Sequence, residues 1–337
     1  MSSLRVLDLF SGGGGSSYGA RNAGATIVGG VDAWKLATDT YATNFPNAQA
    51  LNFRLEGEEI RNSVRRLGKI DLLLASPECT NHTCARGSRP VCEDSRMTAW
   101  QVIHHARALN PKWIIVENVV QMRTWSRFKE FEAALSKLDY QIKTFVLDAA
   151  HFGVPQSRRR MFMVCARDGQ SIDIQPPQGR QKTVASILDK RDVWKVSPLY
   201  KKGRAKATLE RAERALSELG SNEPFLLVYY GSDSAGGWQP LDRPLRTMTT
   251  LDRFALVEPS PTGHTMRMLQ VPELRRAMGL GDDYLLTHGT RRDQVKLLGN
   301  GVCPPVMEQL VRAIRYQEPL WVKTPRATQL SLDGLSL

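Results

Sequence analysis

The sequence predicts a doubly wound α/β domain followed by a smaller domain of a different kind. Short apolar runs alternate with helical segments from the N-terminus to Arg167, and a glycine-rich turn directly follows the first run. Alternating strands and helices are typical of a mostly parallel sheet covered by helices on both faces. After Arg167 the regular alternation of strands and helices disappears, and the chain is predicted to be helical again from Arg267. We therefore predict two structural units within the 337 residues.

The first predicted strand, residues 4–10, leads straight into the glycine-rich turn at residues 11–15. Glycines let the backbone come close to a ligand, and the helix that follows offers free N–H groups at its N-terminus. A second strand, at residues 26–31, ends at Asp32, whose carboxylate can accept hydrogen bonds from both ribose hydroxyls. These features predict an adenosine-containing cofactor without saying which one, and a tight structural turn would explain the glycines alone.

The other elements of the first unit follow the same rhythm. Apolar spacing predicts helices at residues 32–41, 58–67, 100–109 and 127–138, and strands at residues 69–74, 113–116, 144–147 and 160–164.

Cys79 follows the strand at residues 69–74, which Pro77 stops. It is therefore predicted to lie in a loop at the carboxyl edge of the sheet, where ligands bind in open α/β folds. A cysteine at that edge can act as a nucleophile if its surroundings stabilise the thiolate. Its position alone favours a packed loop cysteine over a nucleophile.

The composition is ordinary for a globular protein, but the charge is not balanced. Lys and Arg number 46 against 34 Asp and Glu, a net charge of +12, which favours a polyanionic partner such as nucleic acid. The five cysteines include no Cys-x-x-Cys pair, which argues against a disulfide framework. No signal peptide or membrane-length apolar run is visible, so we expect a cytoplasmic protein with no membrane partner.

The section after Arg167 begins like a linker and continues as a basic region without strand–helix–strand units. A helix is predicted in the second half of residues 195–214 and a strand at residues 226–230. Arginines and threonines cluster next, and on loops these residue types suit contacts with phosphates and base edges, although each could be solvated surface. The cluster comprises Arg243, Arg246, Thr247, Thr249, Thr250 and Arg253.

The last part of the chain is predicted to be helical from Arg267, with a helix start at Pro272 and Glu273. Residues 299–302 are predicted as a tight turn before a final helix at residues 307–316. The residues after Trp321 carry little pattern.

Several of these pieces together resemble the DNA cytosine-5 methyltransferase family, nearly end to end outside the central section. Residues 10–19 are similar to that family's S-adenosylmethionine loop, and Pro77-Glu78-Cys79 to its Pro-Cys loop. Glu117-Asn118-Val119 matches its Glu-Asn-Val motif, residues 156–160 match Gln-x-Arg-x-Arg, and Gly299-Asn300 matches its Gly-Asn turn. Each motif is short, but their joint order and spacing are highly specific.

The resemblance implies a Rossmann-like methyltransferase domain made of residues 1–168 and about 290–320, a target-recognition domain at residues 169–289 and a tail at residues 321–337. It implies methyl transfer from S-adenosylmethionine, leaving S-adenosylhomocysteine, to C5 of a cytosine flipped out of double-stranded DNA. It implies no metal.

The resemblance also implies a role for each motif residue. Cys79 would attack C6 of the cytosine, Glu117 would donate a proton towards N3, and Arg158 and Arg160 would hold O2 and a nearby phosphate. The implied cofactor-binding residues are Phe10, Ser11, Gly12, Gly14, Gly15, Asp32, Ala33, Trp34, Asn52, Phe53, Ser76, Asn300 and Val302. The implied substrate-binding residues are Thr83, Asn118, Gln156, Arg246, Thr247, Thr249 and Thr250, with residues 247–251 expected to form the recognition loop.

Three positions depart from the family pattern. Glu78 stands before the cysteine where the family has proline, and a carboxylate there would raise the pKa of the thiol, so we expect Glu78 to point away from it or to bind a backbone donor or Arg86. Asn52 replaces an acidic residue that contacts adenine, although its side-chain oxygen can accept the same bond. Trp34 comes one position after the family's tryptophan, which leaves the adenine-stacking residue open.

Four alternatives remain. One is a catalytically inactive DNA-binding relative, suggested by Glu78, and a second is an enzyme that methylates RNA cytosine. A zinc protein would use Cys79, His82, Cys84 and Cys92, although their spacing fits no common zinc pattern. A nicotinamide dehydrogenase would share the glycine-rich turn but leave Cys79 and Glu117 unused.

Two further partners are left open by the sequence. One is a cognate restriction endonuclease, as expected for a modification enzyme. The other is a replication sliding clamp, because residues 329–333 are faintly similar to short clamp-docking peptides, although the sequence favours a disordered tail over such a peptide.

Overall fold

A computed structural model describes residues 3–78, 96–167, 169–177, 179–230 and 236–316, and they form two sheets. Cys79, Thr83 and the tail at residues 321–337 lie outside the described residues. No helix in these ranges is long and apolar enough to cross a membrane.

The first sheet has seven strands in the order β3-β2-β1-β4-β5-β7-β6. All its strands run parallel except β7, which is antiparallel to both of its neighbours. The order of the strands reverses between β1 and β4, which creates a crevice at their carboxyl ends. The strands are β1 (Arg5–Leu9), β2 (Thr26–Asp32), β3 (Gln49–Asn52), β4 (Leu72–Ala75), β5 (Trp113–Asn118), β6 (Gln141–Asp148) and β7 (Arg159–Ala166).

Helices cover both faces of this sheet, which confirms the predicted doubly wound fold. Consecutive strand residues point to opposite faces, so Leu72 and Leu74 join one apolar core while Leu73 joins the other. One core also contains residues of α1 and α2, and the other contains residues of α3, α4 and α5. The helices are α1 (Gly15–Asn22), α2 (Lys35–Asn44), α3 (Asn62–Arg65), α4 (Trp100–Leu109) and α5 (Phe128–Ser136), with short 3₁₀ helices at Val120–Thr124 and Ala149–Phe152.

Two of these helices differ from their predicted bounds. The helix predicted at residues 58–67 is only the single turn of α3. The helix predicted from Asp32 begins at Lys35, because Asp32 ends β2 and Trp34 has an extended backbone at the helix cap.

The second sheet is antiparallel and has the strand order β10-β9-β11-β12-β8. Helix α6 (Lys206–Leu219) packs on one face through Ala212 and Ala215, while Leu226 and Val228 on the other face join a core of the first sheet. The strands are β8 (Ser197–Pro198), β9 (Phe225–Val228), β10 (Trp238–Pro240), β11 (Phe254–Ser260) and β12 (Gly263–Met268), and a 3₁₀ helix spans Val184–Ser186.

The predicted helix at Arg267 was wrong. Arg267 lies in β12, which forms a hairpin with β11. Helix α7 (Val271–Ala277) begins just after it, where the side chains and backbone N–H groups of Gln270 and Glu273 bond reciprocally in a capping box. Glu273 also binds the Arg267 guanidinium through two 2.7 Å hydrogen bonds, so this buried pair fixes the exit from the sheet.

The chain then returns to the first sheet through α8 (Arg291–Asn300) and α9 (Pro304–Tyr316). The predicted turn at residues 299–302 starts later than expected, because Gly299 and Asn300 are the last residues of α8. Helix α9 packs against α1 so closely that a side-chain carbon at Gly19 would collide with the carbonyl of Pro304.

The segment between α7 and α8 packs on the first unit as well. The Tyr284 hydroxyl donates to the Gly13 carbonyl at 2.6 Å, and the Asn44 side chain bonds both backbone groups of Leu285. Tyr18 in α1 donates to the Asp283 carboxylate. These contacts tie residues 283–285 to the first unit, although the three residues precede the boundary predicted at residue 289.

Candidate active site

A cleft of about 360 Å³ opens at the carboxyl ends of β1, β2, β4 and β5. We call it the main cleft. It is lined by every cofactor-binding residue that the sequence analysis predicted, except Gly14 and Asn52, and also by the predicted acid Glu117. Its full lining is Phe10, Ser11, Gly12, Gly15, Ser16, Asp32, Ala33, Trp34, Phe53, Arg54, Leu55, Ser76, Pro77, Glu78, Thr98, Glu117, Lys296, Leu297, Asn300, Gly301 and Val302.

The glycine-rich turn bends through left-handed backbone conformations. Phe10, Gly12 and Gly14 have φ angles of 56°, 53° and 91°, and a bulky residue such as Phe10 adopts such an angle only under strain. Strained residues of this kind cluster at ligand sites. A Cβ at Gly12 would meet open space, so its backbone faces the cleft without obstruction.

Gly14 has a packing role instead of the predicted contact with a cofactor. A side-chain carbon at this position would collide with the ring of Phe45 and come within 2.9 Å of the ring of Tyr41. The glycine therefore allows the turn to pack on α2, and it does not line the main cleft.

Asp32 is held rigidly at the end of β2. Its Oδ2 accepts a 2.9 Å hydrogen bond from the backbone N–H of Gly12, and its Oδ1 accepts one of 2.8 Å from that of Trp34. Burial raises the pKa of this carboxyl, while the two N–H groups act in the opposite direction. Each oxygen keeps a further lone pair, so the carboxylate can still accept bonds from a ligand.

Asn52 supports the end of β2 around Asp32, but it does not line the main cleft. Its side-chain nitrogen donates to the carbonyls of Asp32 and Ala33 at 3.1 and 3.2 Å. This fixes the orientation of the amide, and within the described ranges its Oδ1 accepts no hydrogen bond. The neighbouring Phe53 does line the cleft, and the guanidinium of Arg61 lies 4.3 Å from the centre of its ring.

Trp34 and Lys296 meet at the rim of the cleft, where the Lys296 ammonium lies 4.5 Å from the centre of the indole ring. Such a cation–π contact stabilises the ring orientation. Lys296 was not among the residues predicted to bind a cofactor. Its spacing could have identified it, because it precedes Asn300 by four residues and therefore lies on the same face of α8.

Glu117 lines the cleft from the penultimate position of β5, with 6% of its surface exposed. The Nε atom of Arg160 is 3.3 Å from its Oε1. Burial raises the pKa of Glu117, and the positive charges of Arg160 and Arg158 oppose that shift. The structure thus brings together the predicted acid and one of the two predicted arginines.

Asn118 is almost fully buried and does not face the cleft, so the predicted contact with substrate is replaced by a supporting one. Its amide nitrogen donates to the carbonyl of Pro77 at 3.0 Å, and its oxygen accepts from the N–H of Val119 at 2.8 Å. Because Pro77 precedes Cys79 by two residues, Asn118 fixes the entry to the cysteine loop.

Gln156 is also a correction, because it has no exposed surface with which to touch a substrate. Its amide nitrogen donates to the carbonyl of Ala277 at 3.1 Å, and its oxygen accepts from the N–H of Met248 at 3.0 Å. The side chain therefore links the segment just before β7 to α7 and to the predicted recognition loop.

Arg158 is buried as well, with 3% of its surface exposed. Its Nη1 donates to the carbonyl of Met248 at 3.1 Å, and its Nη2 donates to those of Gly299 and Gly301 at 2.8 and 2.9 Å. Both terminal nitrogens thus bind backbone carbonyls and are not directed at a cytosine or phosphate, as the resemblance had implied.

The predicted recognition loop, residues 247–251, packs directly against these groups. The Thr247 hydroxyl donates to the carbonyl of Ser157 at 2.7 Å, and the Tyr230 hydroxyl donates to the carbonyl of Thr247 at 2.8 Å. Arg246 donates to the carbonyl of Trp238, while Thr249 and Thr250 are half-buried. The loop is therefore bonded to the first unit through Thr247 and to the second sheet through Tyr230 and Arg246.

Glu78 lines the cleft, and its backbone N–H donates to the Thr98 hydroxyl at 3.2 Å. The expectation that its carboxylate avoids the thiol concerns Cys79 and Arg86, which lie outside the described residues. All four residues of the zinc alternative also lie there. In the part of the chain that the structure describes, no group of His, Cys, Asp and Glu side chains could hold a metal ion.

Comparison with known sequences gives a match over almost the whole chain. The family model for C-5 cytosine-specific DNA methylase matches residues 4–316. The chain is 27% identical to the type II methyltransferase M.HgiDI of Herpetosiphon aurantiacus over 98% of both chains. It is 32% identical to M1.HphI of Haemophilus parahaemolyticus, but over only about half of each chain, 52% of this one and 49% of that one.

A human tRNA (cytosine(38)-C(5))-methyltransferase is 29% identical over 52% of this chain and 46% of its own.

Solved structures agree on the fold. The methyltransferase EhMeth of Entamoeba histolytica superimposes with a TM-score of 0.68, at 18% identity, over 94% of this chain and all of that one. The family-model match covers both units and all of the motifs that line the main cleft. The chain therefore belongs to the C-5 cytosine-specific DNA methylase family, whose members are S-adenosylmethionine-dependent methyltransferases.

Proposed function

We propose that the protein transfers a methyl group from S-adenosylmethionine to C5 of a cytosine in a specific sequence of double-stranded DNA. One observation carries the proposal. The buried Glu117, paired with Arg160, opens into the same cleft that the glycine-rich turn and Asp32 form. A proton donor for a base and a site for an adenosine cofactor are thereby adjacent.

The residues of the cleft fit S-adenosylmethionine. Asp32 offers a rigid carboxylate for the ribose, and Phe10, Trp34 and Phe53 offer aromatic surface for the adenine. The Ser11 hydroxyl is buried without a partner among the described residues and can bond a ligand. When bound, this cofactor supplies a methyl group on a positively charged sulfur.

The carboxylates that line the cleft suit this positive charge. Asp32 and Glu78 both face it. A nicotinamide cofactor would also use the ribose acid Asp32, but it would leave the buried pair of Glu117 and Arg160 without a role, which argues against the dehydrogenase alternative.

Cys79 is the proposed nucleophile. C5 of cytosine attacks a methyl group poorly, and adding a thiolate to C6 overcomes this. As the C6–S bond forms, the electrons of the C5–C6 double bond move towards N3. A protonated Glu117 donates its proton there, which leaves an enamine whose C5 is nucleophilic. Arg160 is assigned to O2, where its positive charge stabilises the ring during addition.

The second half of the reaction restores the aromatic ring. After C5 has gained the methyl group, a base removes the C5 proton, the C6–S bond breaks and the electron pair returns to sulfur. The N3 proton returns to Glu117, so the carboxyl is protonated again for the next turnover. A cytosine stacked in a duplex cannot reach the cleft, so it must be rotated out of the helix first.

The second unit is the proposed target-recognition domain, with residues 247–251 as its recognition loop and Arg246, Thr247, Thr249 and Thr250 as candidate contacts. Thr83 is a further candidate, on the sequence alone. This assignment modifies the predicted domain bounds, because the contacts of Tyr284 favour an earlier end of the unit.

RNA cytosine is the second candidate substrate, because a tRNA methyltransferase is among the relatives. That match covers only half of the chain, whereas the match to M.HgiDI also includes the central section. Since the central section is where a target would be recognised, the longer match favours DNA.

The test is to express the protein in cells that lack cytosine methylation and to sequence bisulfite-treated DNA and RNA. We expect methylated cytosines in a single DNA sequence context, and none in cells that express Cys79→Ser. Methylation confined to RNA would support the second candidate. Equal methylation by Cys79→Ser would refute the covalent step.

A trapping experiment separates an active enzyme from an inactive relative. DNA that carries 5-fluorocytosine at the target has no C5 proton to lose, so the enzyme remains bonded to C6. We expect a denaturant-stable adduct with the parent in the presence of S-adenosylmethionine, and none with Cys79→Ser. An inactive relative would bind the DNA without forming the adduct.

Two partners remain proposals. A cognate restriction endonuclease would recognise the sequence that bisulfite sequencing identifies, and methylation by this protein would protect that sequence from cleavage. A sliding clamp would be retained by the full chain but not by a chain that ends at residue 328.

A further inference from the structure

We propose that Arg158 is a positioning residue that couples occupancy of the main cleft to the placement of the recognition loop. The inference rests on the proposed function, because it takes the two ligands to be the cofactor and the target DNA. It assigns Arg158 a task that a base-contacting arginine would not have.

On the cofactor side, Arg158 holds the end of α8. Its Nη2 bonds the carbonyls of Gly299 and Gly301, which flank Asn300, and residues 300–302 form one wall of the cleft. The last carbonyls of a helix have no partner within it, and a cation there both satisfies them and opposes the helix dipole. The guanidinium therefore sets the position of the cleft wall.

On the DNA side, the same guanidinium holds the recognition loop. Its Nη1 bonds the carbonyl of Met248, and Gln156 accepts from the N–H of the same residue. Both backbone groups of Met248 are thus held by side chains from one short stretch of the first unit. The loop cannot shift here without breaking a buried hydrogen bond.

The cleft wall and the recognition loop are closely packed against each other. A side-chain carbon at Gly299 would collide with the carbonyl of Thr249, so the helix end and the loop touch directly. On the other side of the cleft wall, a side-chain carbon at Gly15 would collide with the carbonyl of Val302. A displacement of the cleft wall is therefore passed on to the recognition loop, because close-packed groups cannot absorb it.

The coupling follows from these contacts. A ligand that orders residues 300–302 also orders Arg158 and, through it, residues 247–251. The second ligand then binds to a loop that is already ordered, so its affinity rises, and the effect is reciprocal. Arg160, which pairs with Glu117 at the rim of the cleft, remains the arginine assigned to the cytosine.

Hydrogen exchange with S-adenosylhomocysteine alone tests the coupling without DNA. In the parent, we expect the ligand to slow exchange of the amides of residues 11–15 and also of residues 247–251. In Arg158→Lys, the first effect should persist and the second should disappear, because an ammonium is a point donor that cannot span the three carbonyls. Arg267→Lys is the matched control, since Arg267 is also buried but bonds Glu273, away from the cleft wall.

Equilibrium binding gives the size of the effect. We expect S-adenosylhomocysteine to tighten binding of a duplex carrying the target sequence by about 5-fold or more in the parent, a typical coupling between sites. The ratio should fall to about 1 in Arg158→Lys and stay at the parental value in Arg267→Lys. Gly299→Ala is a second variant, which separates loop and helix end without changing Arg158, and it should lower the ratio too.

The outcomes distinguish this inference from the proposed function. Protection of residues 11–15 without protection of residues 247–251 in the parent would overturn the coupling alone. So would an unchanged affinity ratio in Arg158→Lys. No protection of residues 11–15 would overturn both the cofactor assignment and the coupling that rests on it.

Discussion

The Nε atom of Arg160 lies 3.3 Å from Oε1 of Glu117, and both side chains are largely shielded from solvent. Glu117 is the penultimate residue of β5, and β7, which carries Arg160, runs antiparallel beside it. Burial raises the pKa of Glu117 and the guanidinium lowers it, so two opposing effects determine when the carboxyl is protonated. Such opposition is typical of a group that must gain and lose a proton at neutral pH.

Replacing Arg160 with Met should shift the pH dependence of methyl transfer upwards. The proposed donor is the protonated form of Glu117, so activity falls as pH rises through its pKa. Arg160 lowers that pKa, so its removal raises it, and the alkaline limb moves to higher pH. Single-turnover rates of methyl transfer between about pH 5.5 and 9 measure the shift. General acid catalysis typically raises a reaction rate by about 10²–10⁴-fold, so the loss of activity along the alkaline limb should be of that size.

Arg159→Met is the control for this variant, because Arg159 is its exposed neighbour and contributes only its backbone carbonyl to Arg160. Its pH profile should match that of the parent. An acidic limb that moves upwards in Arg160→Met, with an unchanged alkaline limb, would show that Glu117 acts in its ionised form.

Asn118→Ala should slow catalysis without weakening the binding of cofactor. The Asn118 amide holds the carbonyl of Pro77, two residues before the proposed nucleophile, but Asn118 does not line the cleft. Misplacement of a reacting group by about 1 Å can cost about 10²-fold in rate. We expect a decrease in kcat and in the rate of adduct formation of about that size, with S-adenosylhomocysteine affinity within about twofold of the parent. A kcat equal to that of the parent would contradict the positioning role assigned to Asn118.

Asp32→Asn should weaken S-adenosylhomocysteine binding by about 10- to 100-fold, since a hydrogen bond to a charged group contributes about 1.5–3 kcal/mol. The variant loses the charge that faces the ribose hydroxyls and one of the two acceptors that hold Gly12 and Trp34. Calorimetric titration measures the change. Asp39→Asn, on the outer side of α2 where Asp39 pairs with Lys35, is the control and should bind like the parent. Equal affinity in both variants would exclude Asp32 from the site.

The fold and the cofactor side of the site were predictable because their signals are local. An apolar run, a glycine-rich turn and an acid at the end of the next strand lie within residues 4–32, and the structure places them as expected. Parallel strands share one carboxyl edge, so residues that follow different strands, such as Ser76 and Glu117, converge there without further information.

The supporting residues were not predictable, because their partners are distant in the sequence. Arg158 bonds carbonyls that are 90 and 141 residues further along the chain. Polar side chains in a motif suggest contact with a ligand, yet Gln156, Asn118 and Arg158 bond to backbone instead. Only the fold shows which of the motif residues are buried.

The error at Arg267, in the second unit, has a different physical origin. Residues 263–268 form a strand because β11 and β8 pair with them on either side, and strand formation depends more on such pairing than on the identity of the residues. The boundary at residue 289 stays a prediction, although the Tyr284 hydroxyl before it donates into the glycine-rich turn 271 residues earlier.

Asp8→Asn should make the free energy of unfolding less dependent on pH. Asp8 is fully buried beneath the glycine-rich turn, where Ser17 donates to its Oδ2, and burial raises its pKa from 3.8 to about 7. Between these values the folded protein holds a proton that the unfolded chain has lost, so the free energy of unfolding falls as pH rises through this window. From pH 5 to 8 this single group should cost about 2–3 kcal/mol, a cost that an uncharged Asn does not incur. Urea unfolding at pH 5, 6.5 and 8 tests this, with exposed Glu59→Gln as the control, which should follow the parent. The same decline with pH in Asp8→Asn and in the parent would show that Asp8 is already ionised in the folded protein at pH 5.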